Sequence, residues 1–210
     1  MRPLLQVALD YIQLDEPLRV ASAVSKNIDI LEAGTPLIKS EGLRAVRELA
    51  KFGKPVSADM KAADTGALEA KIAFDAGAEY ASVLGGAPLL TIRGAVEEAN
   101  RQNKKISVDL IGVEDVPGRV RCILEICKPH IFEVHAGIDE QNAGRSPFEM
   151  AKELGEMGVS FSVAGGIKLE TVEKLAGISP AIIIVGGGIT KQPNPAEVAL
   201  RIREKIAEIW

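Results

Sequence analysis

Eight short apolar, β-branched runs recur along the chain: Leu4–Leu9, Ile28–Glu32, Pro55–Met60, Tyr80–Leu84, Ile106–Ile111, Ile131–His135, Ser160–Ala164 and Ala181–Val185. A longer segment with helical spacing separates each run from the next. Ser40–Lys51 puts Leu43, Val46, Leu49 and Ala50 on one face, and Thr65–Ala76 carries Leu68, Ile72 and Ala76 at four-residue intervals. Val116–Cys127 carries Val120, Leu124 and Cys127, and Pro195–Ile209 carries Val198, Ile202, Ile206 and Ile209. These stripes predict amphipathic helices facing a core. Strands that read as nearly continuous apolar runs are parallel strands covered by helices. Eight strand–helix repeats of about twenty-five residues predict an α/β fold, a (β/α)8 TIM barrel forming one domain over residues 1–210. A doubly wound open sheet would carry fewer strands, and no Gly-x-Gly-x-x-Gly follows the first run.

A parallel barrel carries its chemistry at the C-terminal ends of its strands. The polar residues there are Asp10 after the first run, Glu32 at the end of the second, and Asp59 and Lys61 at the end of the third, followed by Asp64. Asp109 lies in the fifth run, and Glu133 and His135 end the sixth. So many ionisable groups at one mouth are costly unless they pair or bind something. The plainer reading of each acid is a helix cap or a salt bridge, and Asp64 fits a cap equally well because it precedes the Thr65 helix. His135, at a strand end, is a candidate for proton transfer. His130, before its strand, reads as structural or exposed.

Runs seven and eight end in Gly165-Gly166 and Gly186-Gly187-Gly188, each before a helical segment. Glycines also make tight left-handed turns. Two clusters after strands seven and eight, however, match the usual phosphate site of this fold, with backbone N–H groups close to an anion. Gly165, Gly166, Gly187 and Gly188 are therefore candidate phosphate contacts.

Composition narrows the class. With 47% hydrophobic and 26% charged residues in 210, the chain is long enough to bury roughly 70% of its unfolded surface around one core. A net charge of -4 offers no basic field for a nucleic acid. Cys122 and Cys127 are off any metal-type spacing and read as buried apolar residues in a reducing compartment. The first apolar run stops at Asp10, too short for a signal peptide, and no run approaches a membrane span. A cytoplasmic protein is expected.

Asp59-Met60-Lys61-Ala62-Ala63-Asp64 is a D-x-K-x-x-D motif, and it resembles the signature of the orotidine 5′-monophosphate decarboxylase suprafamily. Val7-Ala8-Leu9-Asp10 and Glu32-Ala33-Gly34-Thr35 resemble that suprafamily's sugar-phosphate branch. Asp64-Thr65-Gly66 stands where pyrimidine decarboxylases typically have Asp-Ile-Pro. His135-Ala136-Gly137-Ile138-Asp139-Glu140-Gln141 and Gly187-Gly188-Ile189-Thr190-Lys191 look like the H-x-G-x-D-x-Q and G-x-I-T-K of hexulose-phosphate synthases. Keto-gulonate phosphate decarboxylases usually carry Arg at Ile138 and Glu at Asp109. Ile138 also departs from the Thr common in synthases.

The resemblance implies a homodimer with active sites at the subunit interface, and Asp64 reaching into the neighbouring site. It implies Mg²⁺, or Mn²⁺, on Glu32 and Asp59. It implies reversible aldol addition of formaldehyde to D-ribulose 5-phosphate through a 1,2-enediolate. Lys61, Asp10, Asp64, Asp109 and His135 are then the candidate catalytic residues: Lys61 as an oxyanion partner rather than a Schiff base, and His135 with Asp109 for proton transfer at C1. Decarboxylation of 3-keto-L-gulonate 6-phosphate is the first alternative. A phosphosugar isomerase or epimerase and a non-catalytic phosphosugar-binding protein are the others.

Overall fold

The computed structural model describes residues 2–210, and its eight parallel strands close into a barrel in chain order. The first half runs β1 (Leu4–Leu9), α1 (Asp15–Val24), β2 (Ile30–Ala33), α2 (Thr35–Glu41), α3 (Arg44–Ala50), β3 (Val56–Ala62), α4 (Gly66–Asp75), β4 (Tyr80–Leu84) and α5 (Leu89–Gln102). The second runs β5 (Lys105–Asp109), α6 (Val116–Leu124), β6 (Ile131–His135), α7 (Ile138–Asn142), α8 (Phe148–Glu156), β7 (Phe161–Ala164), β8 (Ile182–Val185), α9 (Gly187–Thr190) and α10 (Pro195–Ile209). Leu4 of β1 pairs with Ile182 of β8 and closes the ring. The predicted (β/α)8 architecture is present. Among the described residues no helix is long and apolar enough to cross a membrane.

Strand alternation sorts the side chains into two compartments. Leu5, Val7, Leu9, Val83, Val108, Val134, Val163 and Val185 pack outward under the helices. Ala8, Ile30, Tyr80, Ile131, Ala164, Ile182 and Ile184 form a separate cluster on the inward face. That face also holds Gln6, Glu32, Ser57, Asp59, Ser82, Ser107, Asp109, Glu133 and Ser162, all buried. A barrel interior of this size is normally filled with bulky branched residues. Here small serines and carboxylic acids replace them toward the mouth.

Several expectations are corrected. The stretch Ser40–Lys51 is not one helix: Gly42, at φ +61°, ends α2, and α3 starts afresh two residues later. Between β7 and β8 there is only a single 3-10 turn, Val172–Leu175, because Gly177 at φ +80° and Pro180 follow at once. On α4 the predicted stripe faces outward, with Leu68 58% and Ile72 38% exposed. Its buried row is Gly66, Ala70, Ala73 and Phe74, in which the first three are small enough to let the helix lie close to its neighbours. On α6 the buried row is Val116, Val120 and Ile123, so Leu124 sits at the edge of the core. Cys122, one position before Ile123, is exposed rather than buried, and Cys127 is half-buried. His130 is structural as read, its Nδ1 accepting from Ile106 N at 3.1 Å.

Candidate active site

The inward-facing residues at the mouth form one connected cluster. Glu32 on β2 is 7% exposed and accepts from Gln6 Nε2 at 2.6 Å through Oε2; no hydrogen bond from the described residues reaches Oε1. Burial pushes its carboxyl well above the ordinary range, and the charges of Asp59 and Asp10 push the same way. Asp10 follows β1 with one edge open to solvent. Burial of the rest raises it too, helped by Asp59. A side chain at Gly34 would strike the Asp10 carboxylate and displace it, so glycine there leaves room for Asp10 in its present place.

Asp59 on β3 is fully engaged. Thr35 Oγ1 donates to its Oδ2 at 2.5 Å, Ser82 Oγ donates to Oδ1 at 2.8 Å, and Lys61 Nζ lies 3.1 Å from Oδ1 and 3.0 Å from Oδ2. Lys61 itself stands at φ +45°, a conformation uncommon outside glycine. The β3–β4 register is irregular between Ala58 and Ala62, which marks a bulge. From that bulge the ammonium reaches Asp109 Oδ2 at 2.5 Å. Burial opposes the charged amine, but Asp59, Asp109 and Glu133 outweigh it and hold Lys61 above its ordinary pKa. A permanently charged amine is a poor Schiff-base nucleophile.

Asp109, fully buried at the end of β5, meets His135 Nδ1 at 3.1 Å, and its other oxygen accepts from Ile111 N at 2.9 Å. Burial alone would raise its carboxyl. The hydrogen bond and charge shared with His135, with the Lys61 ammonium, hold it at about 2 instead. Glu133 lies alongside: Ser107 Oγ donates to Oε2 at 3.2 Å, and Oε1 is 3.5 Å from His135 Nδ1. Burial, then the charges of Asp109, Glu32 and Asp59, push the Glu133 carboxyl well up.

A cavity of about 620 Å³ opens over this cluster. Asp10, Glu32, Asp59, Glu133 and His135 stand on its wall, as do Gly165, Gly166, Gly187 and Gly188 with Lys168 and Lys191. The acids and the imidazole come from β1, β2, β3 and β6, and the glycines and lysines from the turns after β7 and β8. Gly165, at φ +105°, lies so close to the Ala136 carbonyl that any side chain would collide with it. The Lys191 chain runs over Gly187, its Cδ 3.2 Å from where a side chain there would begin.

Most of the sequence-predicted site thus converges. Lys61 and Asp109 are not on the cavity wall but bond to Asp59 and His135, which are. Asp64 is not brought to this chain's cavity. It is exposed, and its Oδ1 accepts from Thr65 N at 2.7 Å. It does not cap α4, whose preceding residue Thr65 lies at φ +48° with no side-chain cap, so the cap reading fails. Glu133 and Lys168 were given no role from sequence. The signal for Glu133 was its place two residues before His135 on the same strand face. The signal for Lys168 was its place two residues after the first glycine pair.

Five carboxylic groups crowd round the Lys61 ammonium and the His135 imidazole, and burial with mutual repulsion raises the pKa of three of them, Asp10, Glu32 and Glu133. A hard divalent cation fits that donor set, since it takes oxygen ligands and offsets the repulsion. Glu32 has an uncommitted oxygen for it, whereas Asp59 beside it would have to give up one of its present bonds. Asp109, Glu133 and His135 also bring ligand atoms within 4.8 Å of one another, but Asp109 is already committed to Lys61 and His135.

The sequence profile described as "Orotidine 5'-phosphate decarboxylase / HUMPS family" matches residues 3–202. The chain is 40% identical over 209 residues to the 3-hexulose-6-phosphate synthase of Bacillus subtilis (strain 168), covering 97% of this chain and 99% of that one. It superposes on the crystal structure of 3-hexulose-6-phosphate synthase from Salmonella typhimurium with a TM-score of 0.95 at 36% identity, covering 99% and 100% of the two chains. The crystal structure of KGPDC from Streptococcus mutans, solved as a ligand complex, gives 0.91 at 30% identity, covering 99% of each chain. By profile, identity and fold together, the chain belongs to the orotidine 5′-phosphate decarboxylase / HUMPS family.

Proposed function

We propose that this chain is a 3-hexulose-6-phosphate synthase, an aldehyde-lyase that joins formaldehyde to D-ribulose 5-phosphate in a reversible, Mg²⁺-dependent aldol reaction, with Mn²⁺ able to substitute. The observation that carries the reading is the run of contacts Asp59–Lys61–Asp109–His135 ending in a cavity with acids near one set of strand ends and glycines and lysines near another. Relatives at about this identity over nearly full length bear the synthase name.

The sugar phosphate rests on the Gly165, Gly166, Gly187 and Gly188 turns with Lys191 and Lys168 as cations. Glu32 and Asp59 are the residues that would hold the metal, and Thr35 or Lys61 would have to yield one of its bonds to Asp59. When bound, the metal supplies Lewis-acid stabilisation to charge developing on two adjacent sugar oxygens. His135, its Nδ1 fixed by Asp109, presents Nε2 as the base that takes the proton from C1. The resulting 1,2-enediolate attacks the formaldehyde carbon through C1, and the formaldehyde oxygen gains a proton to become the new hydroxyl. Lys61 donates a hydrogen bond to the developing oxyanion; its side chain is 21% exposed. Asp64 completes the site of a partner subunit in a homodimer.

The test is incubation of the purified protein with ribulose 5-phosphate and formaldehyde, with Mg²⁺ and then with EDTA. Metal-dependent loss of formaldehyde with hexulose phosphate appearing is expected; no loss in either arm overturns the proposal. The likeness to the Streptococcus mutans KGPDC favours decarboxylation of 3-keto-L-gulonate 6-phosphate as the second reading. Ile138 and Asp109, where those decarboxylases usually have Arg and Glu, weigh against it. Assaying CO₂ release from that substrate separates the two.

A further inference from the structure

Ser82 sits on β4, 5% exposed, across from the bulge in β3. Its hydroxyl makes two bonds at once. It accepts from the backbone N–H of Lys61 at 2.9 Å and donates to Asp59 Oδ1 at 2.8 Å. The first bond satisfies an amide that the bulge has taken out of the regular ladder, on the residue whose φ is +45°. The second fixes one oxygen of a carboxylate whose other oxygen is held by Thr35. One side chain therefore joins the strained backbone that aims the Lys61 ammonium to the carboxylate that the ammonium contacts.

Strained backbone at a site persists only where its surroundings over-determine it. The neighbouring inward serines do not do this. Ser107 donates to Glu133, and Ser162 Oγ has no hydrogen-bond partner among the described residues. Among the described residues, Ser82 alone bonds to both Lys61 and Asp59.

We propose that Ser82 is a positioning residue for the reaction: through its two hydrogen bonds it sets Lys61 and Asp59 in a single fixed relation. This rests on the proposed function insofar as Asp59 is a metal ligand. Partners behind metal ligands typically contribute about 10–100-fold to affinity or activity. Ser82→Ala is accordingly expected to weaken Mn²⁺ binding, measured by titration on the metal-free protein, by about tenfold or more. It is also expected to lower kcat by about 10–100-fold with little change in KM for ribulose 5-phosphate.

Ser82→Thr keeps the hydroxyl and should restore both, whereas Ser82→Val, of the same shape without it, should not. Equal Mn²⁺ affinity and kcat in the Thr and Val variants would overturn the proposal, whatever their stabilities. A purely structural serine would move the melting temperature alone. If Ser82→Ala does not fold, Ser82→Cys, nearest in shape and weaker in hydrogen bonding, must show an intermediate loss, and unaltered affinity there overturns the role. If the unaltered protein binds no Mn²⁺, the proposed metal chemistry fails on its own account. The positioning role is then decided by a crystal structure of a folded Ser82 variant lacking the hydroxyl: Lys61 relaxed from positive φ supports it, and Lys61 and Asp59 left in place refute it.

Discussion

The Lys61 ammonium and the buried Asp109 carboxylate meet through one oxygen, Oδ2, at 2.5 Å, and that same oxygen faces His135 Nδ1 at 3.1 Å. A single acceptor thus fixes the amine on β3 and the imidazole on β6. Asp109→Asn would leave the shape but exchange one acceptor oxygen for an amide donor. One of the two carboxylates that contact Lys61 would lose its charge, and the imidazole could settle in the other tautomer. We expect kcat to fall by about 10²–10⁴-fold with the fold intact, checked by steady-state kinetics beside circular dichroism. Activity within a few-fold of the unaltered enzyme would remove Asp109 from the mechanism.

Stability of the metal-free protein should run against pH above the ordinary carboxylate range. Asp10, Glu32 and Glu133 have folded-state pKa values raised above the unfolded ones. The native state then binds more protons than the unfolded chain, so stability falls as pH rises through their raised values. Asp109, held at about 2, acts in the opposite sense: its contribution is present above the ordinary carboxylate range and is lost as pH drops through 3.8 toward 2. In EDTA the melting temperature should rise from pH 8 to about pH 5 and collapse below about pH 4, and saturating Mg²⁺ should remove most of the upper slope. An EDTA melting temperature that falls steadily from pH 8 downward would contradict this.

Lys191 is expected to act on binding rather than on chemistry. Its chain lies over Gly187, beside the turns proposed to hold phosphate. Lys191→Ala should raise KM for ribulose 5-phosphate by roughly tenfold or more and weaken inhibition by inorganic phosphate in parallel, with kcat changed much less. A loss confined to kcat would place Lys191 in the reaction instead.

Asp64 stands off its own chain's cavity, so its proposed role can be tested by mixing. Asp64→Asn and His135→Asn should each be inactive. If each site takes its Asp64 from the partner, a hybrid dimer has one doubly altered site and one intact site. Random reassortment of equal amounts would then restore roughly a quarter of full activity. No recovery after verified subunit exchange would show that Asp64 serves elsewhere.

The barrel was legible because short, nearly continuous apolar runs recur eight times with segments of helical period between them, and because each inward acid sits at or near the end of a run. What escaped was what those periods leave undetermined. Leu68 and Ile72 have helical spacing yet face outward, since spacing shows that a stripe exists and not which side the barrel takes. Lys61 was expected beyond its strand, but a bulge carries β3 on to Ala62, and bulges have no residue signature apart from glycine. Glu133 was visible at its strand end and received no role, because its burial beside Asp109 and Glu32 depends on register between strands. Thr35 and Ser82 are ordinary residues by type. Their importance lies in distances of 2.5 and 2.8 Å to Asp59, which no spacing along the chain encodes.

The mouth is built from two kinds of backbone. Glu32, Asp59, Lys61, Asp109, Glu133 and His135 lie within strands, whereas Gly165, Gly166, Ile138, Lys168 and Lys191 lie on the turns and short helices beyond them. Strand positions are tied to the closed ladder on both sides and cannot drift singly, while the turns lie outside that ladder. Such a division makes the protein evolvable in one half and conservative in the other. On the proposed function, change in the outer turns would re-tailor which phosphosugar is grasped while the strand cluster stays as it is. A change at one strand acid disturbs every neighbour that shares its charge.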